Sequence, residues 1–120
     1  EKRRNGIPVK TLTIRNKGET VSLRYDNIYY FEKAGHRISV HTTAGDYNFY
    51  GKFVALLAEI DPGCFVQCHQ GYVANIGKIR AFRDKTLFLE GDISLPVSRS
   101  YTDTVKNILA ERLFAGKDSR

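Results

Sequence analysis

The sequence has no tryptophan, no methionine, three prolines and two cysteines among its 120 residues. It has no apolar run of about eighteen residues or more, which excludes a hydrophobic helix long enough to cross a bilayer. It opens Glu1-Lys2-Arg3-Arg4, without the apolar core of a signal peptide. Because an initiator methionine is also missing, the chain reads as a piece of a longer protein. There is no G-x-S-x-G, no H-E-x-x-H and no phosphate-binding G-x-x-x-x-G-K-S/T. The glycines stand singly at turns, and the acidic residues fall mainly at turns and on helix surfaces. Nothing therefore assembles a catalytic group, and the expectation is a protein that is not an enzyme. Neither an internal repeat nor a low-complexity segment is present.

The two cysteines, Cys64 and Cys68, are four residues apart. In an extended segment they would lie roughly 13 Å apart, beyond the ~7 Å Cα separation a disulfide tolerates. Free thiols in a reducing, cytoplasmic setting are expected. Cys64, Cys68 and His69, completed by His36 or His41, form a partial ligand set. The second closely spaced pair of a structural zinc site is missing, so neither a metal nor a cofactor is expected.

What is abundant is positive charge and aromatic surface. The formal net charge is +6, with seven Phe, seven Tyr and an apolar fraction of 42%. That fraction suits one globular domain with its own core. The basic balance favours an anionic partner such as nucleic acid or a membrane surface.

Residues 1–10, EKRRNGIPVK, read as a basic linker broken by Gly6 and Pro8. Alternating apolar residues then predict strands at 10–15, 20–24, 28–33, 38–43 and 47–50, separated by turns such as Asn16-Lys17-Gly18 and Ala34-Gly35-His36-Arg37. This is a meander of hairpins. The period changes at Phe53, Leu56, Leu57 and Ile60, one face of a helix ended by Asp61-Pro62-Gly63. Strands are expected again at 65–68, 72–74, 79–82, 86–89 and 93–97, with Asn75 capping a short turn over 76–78. Ser98 is a candidate N-cap for a helix whose apolar stripe is Tyr101, Val105, Ile108, Leu109 and Leu113. Gly116 is its expected end, and 116–120 is expected to be a disordered tail. The fold class is thus mainly β, elongated antiparallel sheets with two short α-helices.

Polar groups at turns and helix starts, flanked by cations, are the candidates for nucleic-acid contact. His36 and Arg37 sit at a hairpin tip, and Gln70 sits in the turn after 65–68. Arg99 falls in the first turn of the last helix, where a cation opposes the helix dipole and a phosphate or guanine edge would relieve the conflict.

Three stretches resemble the LytTR family, the DNA-binding output domain of many bacterial response regulators. Phe65, His69, Tyr72 and Asn75, followed by Ile79, look like its F-x-R-x-H-x-S-y-x-V-N stretch. Leu95 to Tyr101, LPVSRSY, looks like its "ipVSR.y" ending, and Ile28 to Glu32, IYYFE, like its "I.yiEa" strand. The likeness runs from about Lys10 to Leu113 and includes the helix around Leu56-Leu57, giving a domain at 11–115. The sequence departs from the pattern at Gln67, where Arg is common, at Gly71, where Ser is common, and at Ala74, where Val is common.

The resemblance implies an elongated β fold whose loops, rather than a recognition helix, enter the major groove of double-stranded DNA. It implies base contacts by His36, Gln70 and Arg99, and phosphate contacts by Lys33, Arg37, Lys78 and Arg80. His69 and Asn75 take structural roles. The implied function is transcription regulation from promoters with paired repeats, bound by two copies, with a receiver domain preceding the linker. The competing expectation is a protein-interaction or small-ligand module, whose exposed hairpin edges around 28–31 or 47–50 add a partner strand.

Overall fold

The structure, a computed structural model, describes residues 10–118, with side chains through residue 112. The chain order is β1 (Thr11–Asn16), β2 (Glu19–Arg24), β3 (Ile28–Ala34), β4 (Arg37–Thr42), β5 (Gly45–Tyr50) and α1 (Phe53–Glu59). It continues with β6 (Phe65–His69), β7 (Tyr72–Asn75), β8 (Ile79–Arg83), β9 (Thr86–Leu89), β10 (Ile93–Pro96) and α2 (Thr102–Asp118). Three single-turn 3-10 segments, Tyr25–Asn27, Ile76–Lys78 and Arg99–Tyr101, join strands or lead into α2.

All strand pairs are antiparallel and the principal extents are 47 × 39 × 26 Å. The strands form three sheets, not one meander. β1 and β2 stand alone as a two-stranded hairpin. Its tight turn places Lys17 and Gly18 at φ 51° and 80°, the left-handed geometry that suits the twist of a two-residue hairpin. The central sheet has the order β5-β4-β3-β7-β6, and β10-β9-β8 is the third sheet. The β6–β7 hairpin thus docks beside β3, pairing Tyr30 with Ala74 and Glu32 with Tyr72.

That docking makes β6–β7 the partition between two cores. Phe65 and Val73 face a cluster with Phe31, Ile38, Val40, the α1 residues Phe53 and Leu56, and Leu12 and Ile14 of the hairpin. Val66, Cys68 and Ala74 face a second cluster with Leu87, Leu89, Leu95, Val97 and Val105 of α2. A strand buried on both faces needs apolar residues at successive positions, which is why Phe65-Val66 and Val73-Ala74 are doublets. Bulges adjust the facing. One between Ile28 and Tyr30 lets Ile28 and Phe31 share a face, and one between Gln67 and His69 leaves Cys68 as the extra residue.

The cysteines are free and divided between the cores, Cys64 packed against the first and Cys68 fully inside the second. Burial pushes the Cys68 thiol up to about 12, and burial followed by the Asp61 carboxylate raises Cys64. A thiolate is the reactive form. With iodoacetamide at about pH 8, Cys68 should stay unlabelled in the native protein, while half-buried Cys64 labels slowly. Peptide mass mapping checks this, and equal labelling of the two would contradict the buried position of Cys68.

Four expectations change at the chain's ends and joints. Lys10, counted with the linker, is tied into the fold: its ammonium pairs with Asp61 and its carbonyl accepts from Tyr25 N–H at 2.9 Å. Residues 1–9 of that linker lie outside the described residues. The last strand stops at Pro96, one residue earlier than expected, although Val97 N–H still donates to the Lys85 carbonyl at 2.9 Å. Ser98 makes no side-chain cap. Its carbonyl instead accepts from Tyr101 N–H at 3.0 Å and from the Thr102 hydroxyl at 3.2 Å, so a 3-10 turn precedes α2. Finally, the α2 backbone continues past Gly116 to Asp118, and only 119–120 of the expected tail lie outside the described residues.

Candidate nucleic-acid interface

The turns β3–β4, β6–β7 and β8–β9 and the Arg99 turn all emerge at one end of the sheets. Main-chain hydrogen bonds join them into a continuous edge. Gly51 N–H donates to the His36 carbonyl at 2.9 Å, and Lys33 N–H donates to the Gly71 carbonyl at 2.9 Å. Ser98 N–H donates to the Cys68 carbonyl at 3.0 Å, and Val97 N–H donates to the Lys85 carbonyl at 2.9 Å. Neighbouring strands lie about 4.8 Å apart, so a row across β4, β3, β7, β6 and the Arg99 turn covers on the order of 20 Å.

His36, Gln70 and Arg99 are all exposed on this row. His36 is held at the β3–β4 tip. Gln70 occupies the two-residue turn between β6 and β7, steadied by His69, whose Nδ1 accepts from Gly71 N–H at 2.9 Å. That bond fixes the ring as the Nε2–H tautomer when neutral, and the ring packs at 5.3 Å from Tyr72. His69 is half-buried. Arg99 precedes α2 proper, anchored through Ser98 to β6.

Of the four cations expected to hold phosphates, two lie on this edge and two do not. Lys33 and Arg37 are exposed beside His36. Lys78 and Arg80 sit at the opposite end of β7 and β8. There the Lys78 ammonium is 3.6 Å from the Glu90 carboxylate and 5.7 Å from the Tyr29 ring. The strand pairing decides this: β7 runs away from the Gln70 turn before the chain reaches Lys78.

The edge gains cations that sequence reasoning passed over as turn residues. Arg83 and Lys85 flank the β8–β9 turn, Arg83 lying over the Phe88 ring at 4.5 Å. Lys52 follows Gly51. Among the described residues, Lys33, Arg37, Lys52, Arg83, Lys85 and Arg99 make no ion pair. The β8–β9 turn has Asp84 and Lys85 at φ 53° and 58° without a glycine. Such left-handed positions cost about 1 kcal/mol each. The signal available in the sequence was a two-residue hairpin turn, Asp84-Lys85, that lacks the glycine such turns favour.

A sequence model described as the LytTr DNA-binding domain matches residues 18–110. The chain belongs to the LytTR family. The match spans every strand from β2 to β10 and ends within α2. Among solved structures, this LytTR domain is similar to one described as the LytTr DNA-binding domain of a methyl-accepting/DNA response regulator from Bacillus cereus. The TM-score is 0.71 at 17% identity, covering 82% of this chain and 95% of that one. At that identity the likeness establishes the fold: mainly antiparallel β with two helices. A comparison with curated proteins finds no match. Family membership makes this a DNA-binding domain for transcription regulation, in a family defined by binding rather than by catalysis.

No helix among the described residues is long and apolar enough to cross a membrane. The residues considered for a metal do not converge. Cys64 and Cys68 face different cores, and His41 is engaged at both nitrogens, 2.9 Å from Glu32 and 2.9 Å from Asp46.

Proposed function

We propose that this LytTR domain reads a specific double-stranded DNA sequence with the turn-bearing edge, as the output domain of a bacterial response regulator. One observation carries the reading: His36, Gln70 and Arg99, distant in sequence, stand exposed on a single hydrogen-bonded edge among unpaired cations. Arg99 offers a bidentate guanidinium to guanine O6 and N7, Gln70 an amide to adenine, and His36 a ring nitrogen to a base edge. Lys33, Arg37 and Lys85 neutralise phosphates and set the register. Lys78 and Arg80 are left out of this contact set because they stand at the opposite end. No bond is made or broken, and no cofactor enters. Two copies on paired repeats, a receiver domain joined through the basic segment 1–10, and a cytoplasmic location complete the proposal.

Selection of bound duplexes from a random pool tests it. The wild-type chain should enrich a short motif, and Arg99→Ala should lose one preferred guanine, with specific binding weakened by about 5- to 150-fold, the 1–3 kcal/mol of a good base contact. Enrichment unchanged by Arg99→Ala would overturn the role of Arg99. No enrichment at all would overturn sequence-specific reading. Three phosphate contacts should give a slope of log affinity against log salt of about −3.

Lys85 separates stability from binding. Lys85→Gly relieves the positive φ and should stabilise the fold by about 1 kcal/mol, yet weaken DNA and shallow the salt slope by about one unit. Thermal melts and affinity at two salt concentrations give both readouts. An unchanged slope would remove Lys85 from the interface.

A further inference from the structure

Of the two stretches expected to offer an open edge, β3 is paired on both sides and can accept no partner, whereas β5 lies at the edge of the central sheet and pairs only with β4. β8 is a further edge strand, and it has a groove beside it. It pairs only with β9, and its outward N–H and C=O groups find no main-chain partner among the described residues. An open strand edge is a template for another strand. Beside this edge, between β8 and α2, runs a groove of about 540 Å³ with an apolar floor of Ile79, Phe82 and Leu109. Arg80, Lys106 and Arg112 rim it, and no carboxylate lines it.

We infer that this groove docks an extended acidic segment of another protein, which adds as a strand to β8 and sets alternate apolar side chains over Ile79, Phe82 and Leu109. The charge selects the occupant. A second copy of the same edge would bring Arg80 and Arg83 against their own kind, and like charges facing each other disfavour that pairing. Residues 1–9 carry Lys2, Arg3 and Arg4 against Glu1 alone, so the chain's own leading segment is repelled as well. An acidic strand turns the same cations into attraction, while main-chain bonds supply affinity. The groove lies away from Arg99 and Gln70, so the domain can hold DNA and a protein partner at once.

The test is a titration of the isotope-labelled chain with a short peptide alternating valine and glutamate, followed by amide NMR. Resonances of Ile79–Arg83 and Lys106–Arg112 should move. Replacing glutamate by lysine in the peptide, or introducing Lys106→Glu with Arg112→Glu in the chain, should weaken binding at least about tenfold. Both substituted positions are exposed, and an unchanged melting temperature verifies the fold. Methylating alternate peptide nitrogens should abolish binding. The inference is overturned if β8 amides stay still, if the lysine peptide binds equally well, or if methylation has no effect. It is also overturned if a bound DNA duplex displaces the peptide, because the groove would then belong to the DNA surface.

Discussion

Phe31→Ala is expected to remove about 3–5 kcal/mol of folding stability. Phe31 is fully buried at the centre of the larger core. Its strand is hydrogen-bonded on both sides, opposite Val40 on β4 and Val73 on β7, and its ring meets Phe65 edge-on at 5.3 Å. Neither neighbouring strand can slide inward without breaking its ladder, so the cavity stays open and the cost falls at the high end of its class. A domain of this size has only about 5–15 kcal/mol in total, so the variant should be partly unfolded near body temperature. Urea unfolding followed by circular dichroism measures the loss. Phe31→Leu, which keeps most of the volume, should cost less than about 1.5 kcal/mol. DNA affinity corrected for the folded fraction should be unchanged in both, because Phe31 lies on the face away from solvent. A loss below about 1 kcal/mol for the alanine variant would mean that the core does not close around β3 as described.

Asn75→Ala should cost about 2–4 kcal/mol, the sum of lost hydrogen bonds and stranded partners. The buried Asn75 amide donates to the Ile28 carbonyl at 2.7 Å and to the Tyr25 carbonyl at 3.0 Å. Its Oδ1 accepts from Gly77 N–H at 3.0 Å, capping the 3-10 turn after β7. One side chain thus fastens the end of β7 to the entry of β3 and shapes the path to β8. Asn75→Asp separates hydrogen bonding from volume. It keeps the cap to Gly77 but sets a carboxylate oxygen against two carbonyl oxygens. That repulsion and burial raise the carboxyl pKa in the folded state above its unfolded value. A group whose folded pKa is raised binds more protons when folded, so the variant gains stability as pH falls and loses it as pH rises through that folded pKa. Melting temperatures between about pH 4 and pH 7 should therefore fall with rising pH for Asn75→Asp relative to the parent chain. A parallel pair of curves would show that Asn75 does not meet those carbonyls.

Much of this was readable in one dimension. The alternation in β1 to β5 and the i, i+3, i+4, i+7 spacing of Phe53, Leu56, Leu57 and Ile60 are local consequences of side-chain direction, and the elements lie where those periods put them. The Asn75 cap was legible for the same reason, since the bond from Gly77 N–H closes over two residues. His36, Gln70 and Arg99 could be named because turns expose polar groups and because the flanking stretches resemble the LytTR pattern. Ser98 misled because a serine before a helix offers a side-chain cap, whereas here its carbonyl does the work through Tyr101 and Thr102.

By itself, the sequence determined the type and order of the elements, the basic charge, and which turns carry polar groups, because each depends on neighbours a few residues apart. Tertiary structure alone decided that β7 pairs with β3, that β6–β7 separates two cores, and that Lys33, Gln70, Arg99 and Lys85 share an edge while Lys78 and Arg80 do not. Those outcomes depend on which strand pairing buries both faces of Phe65-Val66 and Val73-Ala74 at once. Such a choice is settled between segments tens of residues apart, and no local period records it.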